Sequence, residues 1–245
     1  MKIGCSTIAW VLLCKSTTEV LGVKTADTIE WVWDMGQVPT PADRDKATLH
    51  GPFYYTNVAA LEDAAHSMTV QSITQALQIG LPTVVHEGRP VTSFGDWWQR
   101  GKVQQEHTLD CLADSGIVQL ENVSGWSYCP HLLDVFALAR PLATNGVRVC
   151  LDLAHVWVKE GSLDPVLRLS DADLSLIGKV HVSDCTTGHD AHLPIGSGEL
   201  PLQQVAPLLR DLNVPVIDEA IPRTPCDIAA FFEVELEHLR KLLCV

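Results

Sequence analysis

Nine side chains with metal-ligating chemistry recur along this sequence in a regular way. They are His50 in LHGPF, His86 in TVVHEG, Glu121 in QLENV, Asp152 and His155 in LDLAH, His181 in KVHVSD, Asp190 and His192 in HDAHLPIGSGEL, and Glu219 in VIDEA. Each one ends or closely follows a short β-branched apolar run. A lone histidine at a strand end more often fills a satisfied core position, so the constellation rather than any single residue carries the reading. Four carboxylates drawn into one poorly screened cleft repel strongly, and bound divalent cations remove that cost. Imidazole and carboxylate without thiolate suit Zn²⁺, Mn²⁺ or Fe²⁺ better than Ca²⁺.

The elements that must position these groups alternate. Apolar runs predict eight strands, at 2–6, 28–33, 47–51, 83–86, 117–121, 147–152, 179–182 and 214–217. Segments of helical period predict helices near 59–79, 97–114, 130–145, 165–177, 201–211 and 225–243, several opening with proline, which suits a first helical turn. Gly80, Gly116, Gly146 and Gly178 fall between a helical pattern and the next strand, where a left-handed cap is expected. This is the signature of repeated βα units around a parallel sheet. A chain of 245 residues is long enough for one (β/α)8 TIM barrel, and no linker or shift in composition divides it, so a single domain over 1–245 is expected. The stretch DMGQVPTPADRDK at 34–46 leaves little room for a helix, so the second barrel helix should be short or missing. In a barrel the catalytic face lies at the C-terminal ends of the strands, which is where the acceptors of strands three to eight collect.

Composition narrows the partners. With 17 Lys+Arg against 30 Asp+Glu the formal charge is −13, which disfavours a sequence-independent nucleic-acid surface and an anionic membrane. The apolar opening MKIGCSTIAWVLLC has one lysine and no small-residue cleavage site, so it reads as a buried first strand rather than a signal peptide. The 8 cysteines form no C-x-x-C pair and read as small core residues in a reducing cytoplasm. A homo-oligomer is compatible with the sequence.

The strand ends LHGPF, VVHEG, LENV, CLDLAH and KVHVSD, the DAHLPIGSG loop and the final Glu219 together resemble the xylose isomerase-like TIM barrels. That group holds endonuclease IV and many sugar and sugar-phosphate isomerases and epimerases. The resemblance covers nearly the whole chain. It implies that His50, His86, Glu121, Asp152, His155, His181, Asp190, His192 and Glu219 match the trinuclear zinc ligands of endonuclease IV. In the epimerase branch it implies one Mn²⁺ or Co²⁺ site of Glu121, Asp152, His181 and Glu219, with the two glutamates flanking the sugar carbon that loses and regains a proton. Two departures stand out. Ser197 replaces a glutamate common between the two loop glycines, and the segment after strand two offers only Arg44 and Lys46 among three aspartates, so the grip on DNA is missing.

Two reaction classes follow. A phosphoester hydrolase with two or three Zn or Mn ions per chain uses every ligand, with Glu121 and Glu219 as catalytic groups and a small sugar-phosphate-containing substrate instead of duplex DNA. A one-metal sugar or sugar-phosphate isomerase or epimerase explains the acidic charge more easily, since it needs no basic surface, but leaves His50, His86 and Asp190 without a task. Phe53 and Tyr54 are candidate pocket walls, Trp126 and Trp157 candidate floors of a sugar site, Glu30 a pocket residue or a structural ion pair, and Asp184 and His189 second contacts or loop residues. His66, His107, His131 and His238 sit on helical segments and carry no chemistry.

Overall fold

The computed structural model describes residues 1–33, 44, 46–90 and 95–244. Eight parallel strands close on themselves: β1 (Ile3–Ser6), β2 (Thr28–Val32), β3 (Ala47–His50), β4 (Thr83–His86), β5 (Val118–Glu121), β6 (Arg148–Asp152), β7 (Ile177–Val182) and, last in the chain, β10 (Val216–Asp218). The strands follow one another around the barrel in chain order, with β10 beside both β7 and β1. This is the (β/α)8 architecture the alternation predicts. The expectation of a short or missing second helix falls on 34–46, of which only 44 and 46 lie among the described residues.

The outer layer comprises α1 (Ile8–Leu12), α2 (Asp63–Leu77), α3 (Gly95–Ala113), α4 (Leu132–Ala139), α5 (Leu153–Glu160), α6 (Asp164–Leu167), α7 (Asp171–Leu174), α8 (Ala206–Leu212) and α9 (Ile228–Leu243). Helix α9 shows why such a segment folds. Asp227 caps its start by accepting from the Ala229 and Ala230 amides, and Ile228, Phe232, Leu236, Leu239 and Leu243 form one buried stripe at helical spacing. Phe232 stacks on Trp10 of α1 with ring centroids 5.2 Å apart, which plugs the barrel wall beside β1.

Several expectations need correction. The predicted helix at 165–177 is two short helices, α6 and α7, because Ser170 stops one and caps the next by accepting from the Asp173 amide. The segment 130–145 runs as α4 and then tightens into a 3-10 turn over Arg140–Asn145, where Pro141 has no amide hydrogen to give. Helix α5 was not expected and begins immediately after β6. A hairpin, β8 (Asp184–Thr186) with β9 (His189–Leu193), stands in the loop after β7. Gly80, Gly116 and Gly146 take the expected left-handed backbone, but Gly178 lies inside β7, where a Cβ would come within 2.9 Å of the Arg148 side chain. Its role is close strand approach. Cys5, Cys129, Cys150 and Cys185 are buried as expected, whereas Cys14, Cys111, Cys226 and Cys244 are exposed and all eight are free thiols. Among the described residues no helix is long and apolar enough to cross a membrane.

The barrel interior contains a fully buried charge. Lys179 of β7 reaches Glu30 of β2 at 2.5 Å and donates to Thr48 Oγ1 of β3 at 3.0 Å, all three side chains out of solvent. Glu30 is therefore the structural ion-pair residue rather than a pocket wall. Burial alone would raise its carboxyl, but the charges of His181 and Lys179 overrule it and hold it below the usual carboxylate range. Removing one partner leaves the other charge buried and uncompensated. Lys179→Met is accordingly expected to destabilise the metal-free protein by about 3–5 kcal/mol in urea unfolding, and a change within experimental error would show that Glu30 is neutral in the native state.

Candidate metal centre

The sequence places the acceptors at strand ends, and the barrel brings them together. His50, His86, Glu121 and Asp152 are the last residues of β3, β4, β5 and β6. His181 sits one residue before the end of β7, and Glu219 follows β10. Parallel pairing puts His86 opposite Glu121 and Asp152 opposite His181 in neighbouring strands. His155 is not a strand residue. It lies in the first turn of α5, whose N-cap is Asp152, with Asp152 Oδ1 accepting from the His155 amide at 2.7 Å. Asp190 and His192 come from β9, where His192 adopts a left-handed φ of 45°.

These side chains fall into groups around Glu121. On one side His50 Nε2 and His86 Nε2 lie 3.3 and 3.0 Å from Glu121 Oε2, and 3.2 Å from each other. On the other, His181 Nδ1 lies 3.3 Å from Glu121 Oε1 and 3.5 Å from Glu219 Oε1. Within each of the sets His50–His86–Glu121 and Glu121–Asp152–His181–Glu219, one ligand atom from every residue lies within 4.8 Å of the others. The last three acceptors form a looser group on the cavity wall. His155 Nε2 stands 2.9 Å from Asp190 Oδ2, and His192 Nε2 stands 3.8 Å from Asp190 Oδ1.

The surroundings aim the lone pairs. His50 Nδ1 faces the Gly51 carbonyl oxygen at 2.9 Å and His155 Nδ1 faces the Asn122 carbonyl oxygen at 2.7 Å, which leaves each Nε2 turned to the cluster. His181 is set the other way round. Its Nε2 is held by Glu30, so Nδ1 points at Glu121 and Glu219. Such partners fix tautomer and ring orientation in metal-binding histidines. Asn122 ties β5 to β6 by accepting from the Asp152 amide and donating to its carbonyl. Ser124 donates to Asp190 Oδ2 at 2.9 Å.

This donor set fits divalent cations. Glu121 Oε2, Glu219 Oε1, Asp190 Oδ1 and the Nδ1 atoms of His86 and His192 are buried without a hydrogen bond. Two inward imidazole nitrogens and a carboxylate oxygen within 3.3 Å of one another cannot all be satisfied by the few protons available. Charge is correspondingly displaced. Burial pushes the Asp152 carboxyl up, reinforced by Glu121, Asp190 and Glu219, while His155 opposes it. For His181 burial works against the cation, but the surrounding anionic groups prevail and raise it well above the ordinary imidazole range. Burial lowers His86.

The groups open into a cavity of about 500 Å³. Phe53 and Trp126 line it as expected. Tyr54 stacks beside Phe53 outside it, Trp157 packs against the core, Asp184 accepts three backbone amides and shapes the loop after β7, and His189 is exposed. His66 bridges α2 and α3 through Thr108 and Gln104, in keeping with a non-catalytic role. Residues not singled out by sequence are Arg89, Ser124 and Asn122, together with buried Glu87, which accepts from the Val123 and Cys129 amides and pins the loop after β5. Asn122 and Glu87 were legible only as neighbours of a ligand in LEN and HEG. Nothing in the sequence marked Arg89.

A family model described as xylose isomerase-like TIM barrel matches residues 45–242. The chain is 28% identical over 214 residues to a probable endonuclease 4 of Mycobacterium leprae (strain Br4923), covering 81% of this chain and 84% of that protein. Among solved structures, a D-tagatose 3-epimerase-like protein superposes with a TM-score of 0.76 at 20% identity, covering 99% of this chain and 98% of the other. A D-psicose 3-epimerase of Clostridium cellulolyticum H10, crystallised with D-tagatose, does so with a TM-score of 0.72 at 15% identity, covering 99% of each. At such identities the structural likeness speaks to the fold. With a family match over most of its length and a closed eight-stranded barrel, the chain belongs to the xylose isomerase-like TIM barrel family.

Proposed function

We propose that the protein is a divalent-metal-dependent phosphoester hydrolase acting on a small sugar-phosphate-containing substrate. The observation that carries this reading is the Glu121 carboxylate, whose two oxygens face two different ligand groups 3.0–3.3 Å away. A one-metal isomerase has no use for the second group. The proposed ligands are His50, His86 and Glu121; Glu121, Asp152, His181 and Glu219; and His155, Asp190 and His192. Two or three Zn²⁺ or Mn²⁺ ions held there would supply electrophilic stabilisation of the phosphoester oxygens and a water made nucleophilic at neutral pH. The chain's own part is positional. Glu121 fixes the spacing of the two groups, Ser124 and Asn122 hold Asp190 and Asp152 in place, and Glu219 Oε1, buried without a hydrogen bond, would take the proton given up by the water that attacks phosphorus and return it to the alkoxide oxygen released as the P–O bond breaks. The probable endonuclease 4 relative is consistent with hydrolysis of a phosphoester.

Elemental analysis of the purified protein tests this directly, with at least two divalent ions per chain expected near neutral pH. Acidification should strip them. His155 and His181 hold protons tightly in the metal-free protein, a protonated imidazole offers no lone pair, and affinity therefore falls as pH falls. A value near one ion, held by Glu121, Asp152, His181 and Glu219, would instead favour the sugar isomerase or epimerase reading, for which that four-residue group is complete by itself.

The formal charge of −13 supports a small substrate over duplex DNA. No submicromolar, salt-sensitive binding to abasic duplex is expected in titrations at two salt concentrations, because few cations are available to replace phosphate counterions. Tight binding at physiological salt would restore DNA as the substrate.

A further inference from the structure

The cavity wall carries two side chains that the metal groups do not use. Arg89 follows β4 and is the one Arg or Lys among the described residues lining the cavity. Its guanidinium has no hydrogen-bond or ion-pair partner among the described residues, yet its backbone is clamped. The Arg89 amide donates to Asn57 Oδ1, and Asn57 Nδ2 donates to the Arg89 carbonyl, both at 2.9 Å. The preceding Gly88 amide is held by Gln105 Oε1. A planar five-donor cation with no partner among the described residues, on a fixed backbone beside a cavity, suits an anionic oxygen group such as phosphate.

Trp126 follows β5 and is 57% exposed although it lines the same cavity. Its loop is held at both ends by Glu87, through the Val123 and Cys129 amides at 3.2 and 3.0 Å, and by Lys159, which donates to Ser127 Oγ and the Cys129 carbonyl at 2.9 Å. The indole is thus an open platform on a rigid loop. Pro90, Val123 and Phe53 line the same cavity as its apolar part, opposite in character to Ser124 and the His, Asp and Glu acceptors that also line it. An exposed indole face takes a flat aromatic base by stacking, which needs no hydrogen-bond partner from the wall.

We infer that Arg89 and Trp126 form a recognition subsite for a nucleotide-type substrate, Arg89 taking a phosphate oxygen and Trp126 stacking on the base. This inference rests on the phosphoester reading and names its substrate class. The test is calorimetric titration of the zinc-loaded full-length protein with adenosine 5′-monophosphate, adenosine and ribose 5-phosphate. The nucleotide should bind at least about tenfold more tightly than either fragment, in line with the worth of one stacked base. Arg89→Ala should weaken the nucleotide and ribose 5-phosphate but not adenosine. Trp126→Ala should weaken the nucleotide and adenosine but not ribose 5-phosphate, and Trp126→Phe should recover most of the loss. Equal affinity for ribose 5-phosphate and the nucleotide, no nucleotide binding at all, or indifference to both alanine substitutions would overturn the subsite. Turnover of bis(p-nitrophenyl) phosphate is followed separately. Hydrolysis with a nucleotide affinity indifferent to Arg89 and Trp126 defeats the subsite alone, whereas the expected binding pattern without hydrolysis defeats the reaction alone.

Discussion

Glu121→Gln is expected to lose the divalent ions proposed for both ligand groups and at least about 10³-fold in phosphoester turnover, since several kcal/mol of transition-state charge stabilisation would rest on those cations. The amide keeps the size of the side chain but loses its charge, and it must turn an NH₂ toward one of the two groups. His50 and His86 lie against one oxygen, His181 against the other, so neither orientation serves both. Glu219→Gln touches only the Asp152–His181 side and should lose fewer ions per chain. Metal content and rate have to be measured on the same preparation. If Glu121→Gln retained both, the bridging role would be wrong.

His86→Ala separates the reaction classes. Its Nε2 faces Glu121 Oε2 and His50 Nε2, and it belongs to the group that a one-metal enzyme does not need. The expected outcome is loss of one ion per chain and about 10²-fold or more in rate, because a cation on the attacking or leaving oxygen carries several kcal/mol. In a one-metal isomerase His86 would be a pocket wall, and the variant would keep its ion and much of its turnover. Retention of both would sink the hydrolase assignment.

The parallel barrel was legible because β-branched runs and helical periods alternate, and the nine acceptors were legible because they recur at the ends of those runs. Their grouping was not. Which oxygen of Glu121 faces which histidine depends on barrel closure, and closure brings β7 and β2 side chains together across the interior. That is also why Glu30 was ambiguous, since its partner Lys179 lies 149 residues away. Helix α5 was missed because Asp152 serves two ends at once, closing a strand and capping a helix in the same turn. Trp157 was ambiguous between a sugar-site floor and core packing, because its packing face is set by a helix that the strand pattern hid, and it takes the core. Arg89 sits in a loop with no periodicity to read.

The pairing of His86 with Glu121, and of Asp152 with His181, across adjacent strands has a consequence for how this centre can change. Ladder pairing moves only in whole residues, and a slip of one turns a side chain to the opposite face of the sheet. The distances between strand-borne ligands are therefore quantised. A larger or smaller ion cannot be met by sliding β4 past β5 or β6 past β7 in small increments. Adaptation falls to the members outside the barrel ladder: His155 in α5, Glu219 after β10, and Asp190 and His192 on the two-stranded hairpin. Drift in sequence can retune those four positions gradually, while the strand-borne candidate ligands are either kept whole or lost.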